Sequence, residues 1–163
     1  MEELDFYEVN ADYINHLAAA ERRVPRVDYS AVGSHNKFLC GVVLSVAQHR
    51  YFAPISSFTI PQRTNLIIKN ERGKAISCIR FAFMIPVPPE AATRKIIQNE
   101  PSPKYRRLLN WELQFCRRNA AAIYSRAHFV YHAVVEKHDP LISKNCCDFK
   151  ALEAACAAYA PAP

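Results

Sequence analysis

From Tyr105 to Val135 the apolar residues fall at positions 105, 108, 109, 113, 116, 120, 123, 124, 127, 130, 131, 134 and 135. That is the three-four rhythm of an amphipathic helix, and no glycine or proline interrupts it, so the stretch predicts one long helix, or two with a kink. The chain before it reads mainly in shorter pieces. Phe6 to Val9 predicts a short strand, and Asn10 can cap a helix running through about Arg23 and closed by Val24-Pro25. Arg26 to Asn36, with Gly33, has no period and reads as a loop. Phe38 to Val46 and Tyr51 to Ile55 are apolar runs of strand length, and the four residues Ala47 to Arg50 suit a hairpin turn between them. Ser56 to Thr64 reads as a surface loop, Asn65 to Lys69 as a third strand, and Asn70 to Lys74 as a turn. Ala75 to Val87 predicts a last long strand, ended by Pro86, Pro88 and Pro89. Asp148 can cap a final helix through Tyr159, with a frayed tail over 160–163. The predicted class is α+β: a small, mainly antiparallel sheet with helices collected in the C-terminal half.

At 163 residues the chain predicts a single domain, 1–163. Its 21 Lys and Arg against 15 Asp and Glu give a net charge of +6, which favours a polyanionic partner such as nucleic acid. No apolar run approaches the roughly 20 residues of a membrane span. The opening Met-Glu-Glu-Leu-Asp is acidic where a signal peptide is basic, so the expectation is a cytoplasmic protein that engages no membrane. Cys40, Cys78, Cys116, Cys146, Cys147 and Cys156 contain no CxxC pair and read as small buried hydrophobes.

The common nucleotide, zinc-protease and serine-hydrolase motifs are absent. His128 and His132 have the spacing of two metal ligands but read as a solvated helix surface. No cofactor or metal is expected. Lys37 immediately precedes a buried strand, and Ser56-Ser57 immediately follow the strand that pairs with it. Here a cation and two hydroxyls can converge on a phosphate. Equally, Lys37 can mark the water edge of the sheet, and paired serines are ordinary turn residues. Glu112 falls in the apolar stripe of the long helix between Leu108, Leu109 and Cys116, where it needs a partner, an arginine or a site. Arg106, Arg107, Arg117 and Arg118 occupy the opposite face. Lys69, Arg72, Lys74 and Arg80 are expected to cluster about the turn before the last strand. Either patch can bind phosphates or serve only solubility.

These pieces, in this order, resemble the ToxN/AbiQ toxins of type III toxin–antitoxin systems. The matching segments are Tyr13-Ile14, Val24-Pro25, Lys37 to Leu44, Tyr51 to Ser57, Phe83 to Pro86, Tyr105 with Leu108, Leu113 to Phe115 with Arg117, and Cys147 to Phe149 with Leu152-Glu153. The resemblance covers nearly the whole chain. It implies a compact, strongly bent sheet similar to the MazF/Kid-type small barrels. It also implies an endoribonuclease that cuts cellular and phage RNA at A-rich sites, in growth arrest and phage abortive infection. The implied inhibitor is a repeated pseudoknot antitoxin RNA that the toxin excises, the two assembling into rings. By position, Lys37 matches the family's essential lysine, Ser56-Ser57 its Thr/Ser-Ser pair, and Tyr13 a tyrosine lining the groove. Tyr29 matches a second tyrosine, and Glu112 stands where some members hold a polar residue. The family's further lysine, two residues after the serine pair, is replaced here by Thr59; Arg63 is the nearest cation after it. The implied catalytic set is therefore Lys37, Ser56, Ser57 and Tyr13, supported by Tyr29, His35, Thr59 and Glu112. Arg63, Lys69, Arg72, Lys74, Arg80 and Arg117 are the expected RNA contacts. The alternative is a basic RNA-binding module without catalysis.

Overall fold

The computed structural model describes residues 2–24 and 40–160. The readings for Tyr29, His35, Lys37 and the loop around Gly33 lie outside these residues.

β1 (Phe6–Val9) leads into α1 (Ala11–Ala20), capped as expected: the Asn10 side chain accepts from the amides of Asp12 and Tyr13. The central hairpin joins β2 (Cys40–Val46) to β3 (His49–Ser56), in register from Gly41 opposite Pro54 to Val46 opposite His49. Its turn has two residues rather than the expected four, Ala47 and Gln48, both left-handed at φ 48° and 70°. Positive φ at both central positions matches the right-handed twist of the flanking strands. At Gly41 the strands approach so closely that a Cβ would stand 2.2 Å from the Ala53 carbonyl oxygen.

β4 (Asn65–Lys69) and β5 (Ala75–Arg80) form a second hairpin. The expected strand from Ala75 to Val87 does not run through. It ends at Arg80, passes into a 3-10 turn at Phe81–Phe83, and resumes as β6 (Ile85–Pro86). Both pieces pair with one edge of β3: Ile79 lies opposite Ile55, and Ile85 opposite Phe52. The register between those pairs shifts by three, the three residues of the turn. Phe81 is driven there by burial, being fully enclosed, with its amide bonded to the Thr64 carbonyl at 3.0 Å. Pro54, which has no amide to offer a ladder, falls where β3 passes from one partner to the other.

A further strand that the sequence reading missed, β7 (Ala92–Arg94), pairs with β1. The main path through the sheet is β4-β5-β3-β2-β1-β7, with β6 on β3, and among the described residues no ladder joins β4 to β7. The sheet is antiparallel and bent where β3 exchanges partners.

The long helical region is two helices, α2 (Pro103–Arg118) and α3 (Ala120–Val135). Asn119 divides them with φ −111° and ψ 22°, its side-chain amide donating to the Phe115 carbonyl at 2.8 Å. Ser102 and Pro103 start α2 by cap and first-turn geometry. Trp111 ties α2 to the edge strand β4, donating from Nε1 to the Lys69 carbonyl at 3.0 Å. After the short α4 (Pro140–Ser143), Asp148 caps α5 (Phe149–Ala157) as expected, accepting from the Ala151 amide at 3.0 Å. Glu153 of α5 fastens that helix to the sheet and to α3, accepting from the hydroxyls of Tyr51 at 2.8 Å and Tyr131 at 2.6 Å. Burial acts to raise its pKa, but hydrogen bonds from Tyr131, Tyr51 and Lys150 prevail and hold the carboxyl below its ordinary value. Cys78, Cys116, Cys146 and Cys147 are buried as expected, Cys40 and Cys156 are partly so, and all six are free. No helix among the described residues is long and apolar enough to cross a membrane.

Candidate active site

The hairpin register fixes where Ser56 and Ser57 stand. Ser56 is the last residue of β3, opposite Cys78 at the middle of β5. Its Oγ accepts from the Phe58 amide at 3.2 Å, a local turn that swings the following residues across the sheet. Ser57 is exposed, and its hydroxyl has no partner among the described residues. β2 starts at Cys40, whose neighbour Gly41 lies opposite Pro54, two residues before Ser56. β2 therefore begins at the end of the sheet where β3 leaves it.

Paired residues of an antiparallel sheet share a face, and faces alternate along each strand. Ser56, Cys78 and Arg80 thus lie on one face, together with Asn65, which is opposite Arg80. The loop of residues 57–64 is tied down on that face. Asn65, 2% exposed, donates to the Ile60 carbonyl at 3.0 Å and accepts from the Gln62 amide at 2.9 Å. Arg126 of α3 donates to the Asn65 carbonyl at 2.7 Å and reaches those of Gln62 and Arg63 at 3.4 and 3.3 Å. Neither Asn65 nor Arg126 was marked by the sequence reading, because carbonyls gathered from separate residues leave no motif. Thr59 is exposed in this loop. Arg63 has its guanidinium 5.3 Å from the Phe129 ring, in an open depression bounded by α3. Arg80, on the face of Ser56, has its guanidinium 4.7 Å from the Phe58 ring and 4.6 Å from that of Phe83.

Three expectations change. Tyr13 does not line a groove: its ring is fully buried, and its hydroxyl donates to the Pro86 carbonyl at 2.5 Å, holding α1 against β6. Burial pushes its pKa well above the usual phenol range. Arg117 is exposed but already has partners. Its Nε is 2.9 Å from the Leu4 carbonyl and 3.1 Å from Glu3, with Asp5 at 3.8 Å from its Nη2, so it clamps the N-terminal segment. The basic group around the turn also divides. Lys69, Arg72 and Lys74 are exposed near it, while Arg80 is at the far end of β5, about 16 Å along the strand.

Glu112 is 3% exposed and lies behind the sheet, on the face opposite Ser56. Its partner is not the arginine considered from sequence but Ser77 of β5, whose hydroxyl donates to Oε2 at 2.5 Å. Burial raises the carboxyl's pKa, and the Ser77 hydrogen bond partly offsets this. A raised folded-state pKa makes the contribution to stability complete below the ordinary value of 4.5 and lost as pH rises through the folded-state pKa. Glu112→Gln keeps the polar contact with Ser77 but cannot ionise. Urea midpoints measured upward from pH 4.5 should therefore decline less in this variant than in the wild type. Parallel declines would show that Glu112 ionises in the fold without cost.

With its serine pair at the outlet of a bent antiparallel hairpin, braced by helices, the chain has the architecture of a type III toxin. It belongs to the ToxN toxin family of type III toxin–antitoxin systems, whose sequence profile matches residues 5–157. It is 26% identical to the endoribonuclease ToxN of Pectobacterium atrosepticum, over 92% of this chain and 90% of that protein. It is also 26% identical to the endoribonuclease ToxN of Bacillus thuringiensis subsp. kurstaki, over 94% of this chain and 83% of that one. Among solved structures, one concerns selective toxin inhibition by a non-coding RNA pseudoknot in type III systems. It superposes with a TM-score of 0.84 at 22% identity, covering 97% of this chain and 98% of that one. AbiQ, a lactococcal anti-phage endoribonuclease, superposes at 0.80 with 19% identity, over 97% and 98% of the two chains. These structural likenesses establish the shared fold.

Proposed function

We propose that this protein is an endoribonuclease toxin, held inactive by a pseudoknot antitoxin RNA. The observation that carries the reading is its family membership across residues 5–157, joined to 26% identity with two endoribonucleases over nine-tenths of the chain. The exposed Ser57, the Ser56 beside it and the expected Lys37 supply hydroxyls and a cation at one end of the central hairpin. The substrate's 2′-hydroxyl serves as nucleophile, so the reaction needs no metal-bound water. Its oxygen bonds to the adjacent phosphorus as the bond to the 5′-oxygen breaks. One proton leaves the 2′-hydroxyl and one is gained by the departing 5′-oxygen, giving a 2′,3′-cyclic phosphate and a 5′-hydroxyl. Lys37 offsets the extra charge of the phosphorane, while Ser56 and Ser57 hold its non-bridging oxygens in line. Tyr13 is assigned no part in the chemistry. His35 and Tyr29 are the candidates for the proton transfers. A-rich cleavage sites, processing of the repeated antitoxin RNA, ring-like toxin–RNA assembly and a role in phage abortive infection accompany this reading.

Incubation of the purified protein with A-rich RNA in excess EDTA tests it. Cleavage is expected to continue, and the new ends to carry 5′-hydroxyls that accept phosphate from a kinase directly. Activity lost on chelation and restored by magnesium or manganese would contradict the mechanism. Retardation of RNA without cutting would support the non-catalytic alternative.

A further inference from the structure

Arg80 presents a physical problem that packing alone does not solve. It is half-buried on the sheet, with its guanidinium carbon within 5 Å of two phenylalanine rings. Contacts of that kind engage the charge through the ring quadrupole but satisfy none of the five N–H donors. Among the described residues no carboxylate pairs with it, and none of its N–H groups donates to one of them. A leucine or methionine would fill the same space between the rings without desolvating a charge, so the position pays for a cation that no described residue pairs with.

Its surroundings indicate the use. Ser56 and Arg80 are diagonal neighbours on one face of the sheet, since Ser56 lies opposite Cys78 and Arg80 follows two residues later. Diagonal neighbours are about 7–8 Å apart at the backbone, within reach of a long side chain. Phe58, one of the two rings that hold the guanidinium, has its amide bonded to Ser56 Oγ. One ring of the aromatic clamp therefore belongs to the serine turn itself, while the other comes from the 3-10 turn after β5. Arg63, the alternative cation from the same loop, is drawn off to Phe129.

We propose that Arg80, clamped by Phe58 and Phe83, is a phosphate-binding group of the RNA site, donating to a phosphodiester held at Ser56-Ser57. This rests on the endoribonuclease reading above and deepens it. Planar guanidinium donors match two oxygens of a phosphate at once, which an ammonium cannot do.

The test compares wild type, Arg80→Met, Arg80→Lys and Lys37→Ala by single-turnover cleavage of an A-rich RNA, with thermal melts and RNA filter binding alongside. Arg80→Met keeps the apolar stem between the rings and removes the charge. It should melt near the wild-type temperature and cleave about 10²–10³-fold more slowly. Arg80→Lys should recover part of that rate, because charge returns without the fork. Inorganic phosphate should inhibit the wild type, and its inhibition constant should rise in Arg80→Lys, a readout that a merely structural arginine would not move. Near wild-type cleavage with unchanged phosphate inhibition in Arg80→Lys and a folded Arg80→Met would overturn the proposal. If Arg80→Met does not fold, the Arg80→Lys rate and phosphate inhibition decide alone. If the wild type binds RNA without cutting it, the endoribonuclease reading fails by itself. Arg80 is then judged by filter binding, where unchanged retention in Arg80→Met would overturn it.

Discussion

Lys37→Ala is expected to slow RNA cleavage by about 10²–10³-fold or more while leaving the thermal midpoint unchanged. The cation is assigned to the phosphorane, whose added negative charge exists only in the transition state. Its loss should therefore appear in the chemical step and much less in RNA binding. A lysine preceding a buried strand, as the sequence places Lys37, adds little to the core, so stability should survive its removal. Combining Lys37→Ala with Ser57→Ala should add little further loss, because parts of one site do not contribute independently. A double variant whose losses multiply in full would mean that the two residues act on separate steps.

Gly41→Ala is expected to be the most damaging small substitution in the sheet. The added methyl would lie 2.2 Å from the Ala53 carbonyl oxygen and 2.9 Å from the Phe52 ring, far inside van der Waals contact. One obstacle is backbone of the partner strand, so no rotamer change clears it. Gly41 also pairs with Tyr7 of β1, so β2 cannot move from β3 without disturbing its other neighbour. Overpacking of this kind costs about 3 kcal/mol or more, and in a chain of this size it should lower the melting temperature by about 6–12 °C. Cleavage should fall with it even below the melting point, since the same register sets the start of β2 against the end of β3. A Gly41→Ala protein that melts with the wild type would show that the hairpin relaxes freely at its closest approach.

What the sequence disclosed of this fold was whatever depends on near neighbours. The caps at Asn10 and Asp148, the apolar runs of β2 and β3, and the helical period after Tyr105 are local signals, and each appears where expected. The two-residue turn was hidden because Ala47 and Gln48 adopt left-handed conformations without the glycine or asparagine that announces them. The end of β5 at Arg80 was hidden because Phe81 to Phe83 are as apolar as a strand, and only burial of Phe81 decides for a turn. β7 has three residues and is mostly exposed, leaving no pattern to read.

The site was legible to a similar depth. The hairpin's pairing brings the end of β3 to the start of β2, which the order of the strands already implied. The roles of polar and charged residues were not legible, because their partners are distant in sequence. Arg117 is claimed by Glu3 and the Leu4 carbonyl, Glu112 by Ser77, and Tyr13 by Pro86. Arg80 looked like one member of a basic cluster, yet the strand it ends carries it away from that cluster and onto the face of Ser56.

The central claim is that this toxin cuts RNA at the outlet of its central hairpin. Single-turnover cleavage of an A-rich RNA in EDTA, by wild type and by a Ser56→Ala/Ser57→Ala variant that melts normally, tests it most directly. The account predicts cleavage to 5′-hydroxyl ends by the wild type and a rate at least about tenfold lower in the variant. Equal rates for the two proteins would contradict it.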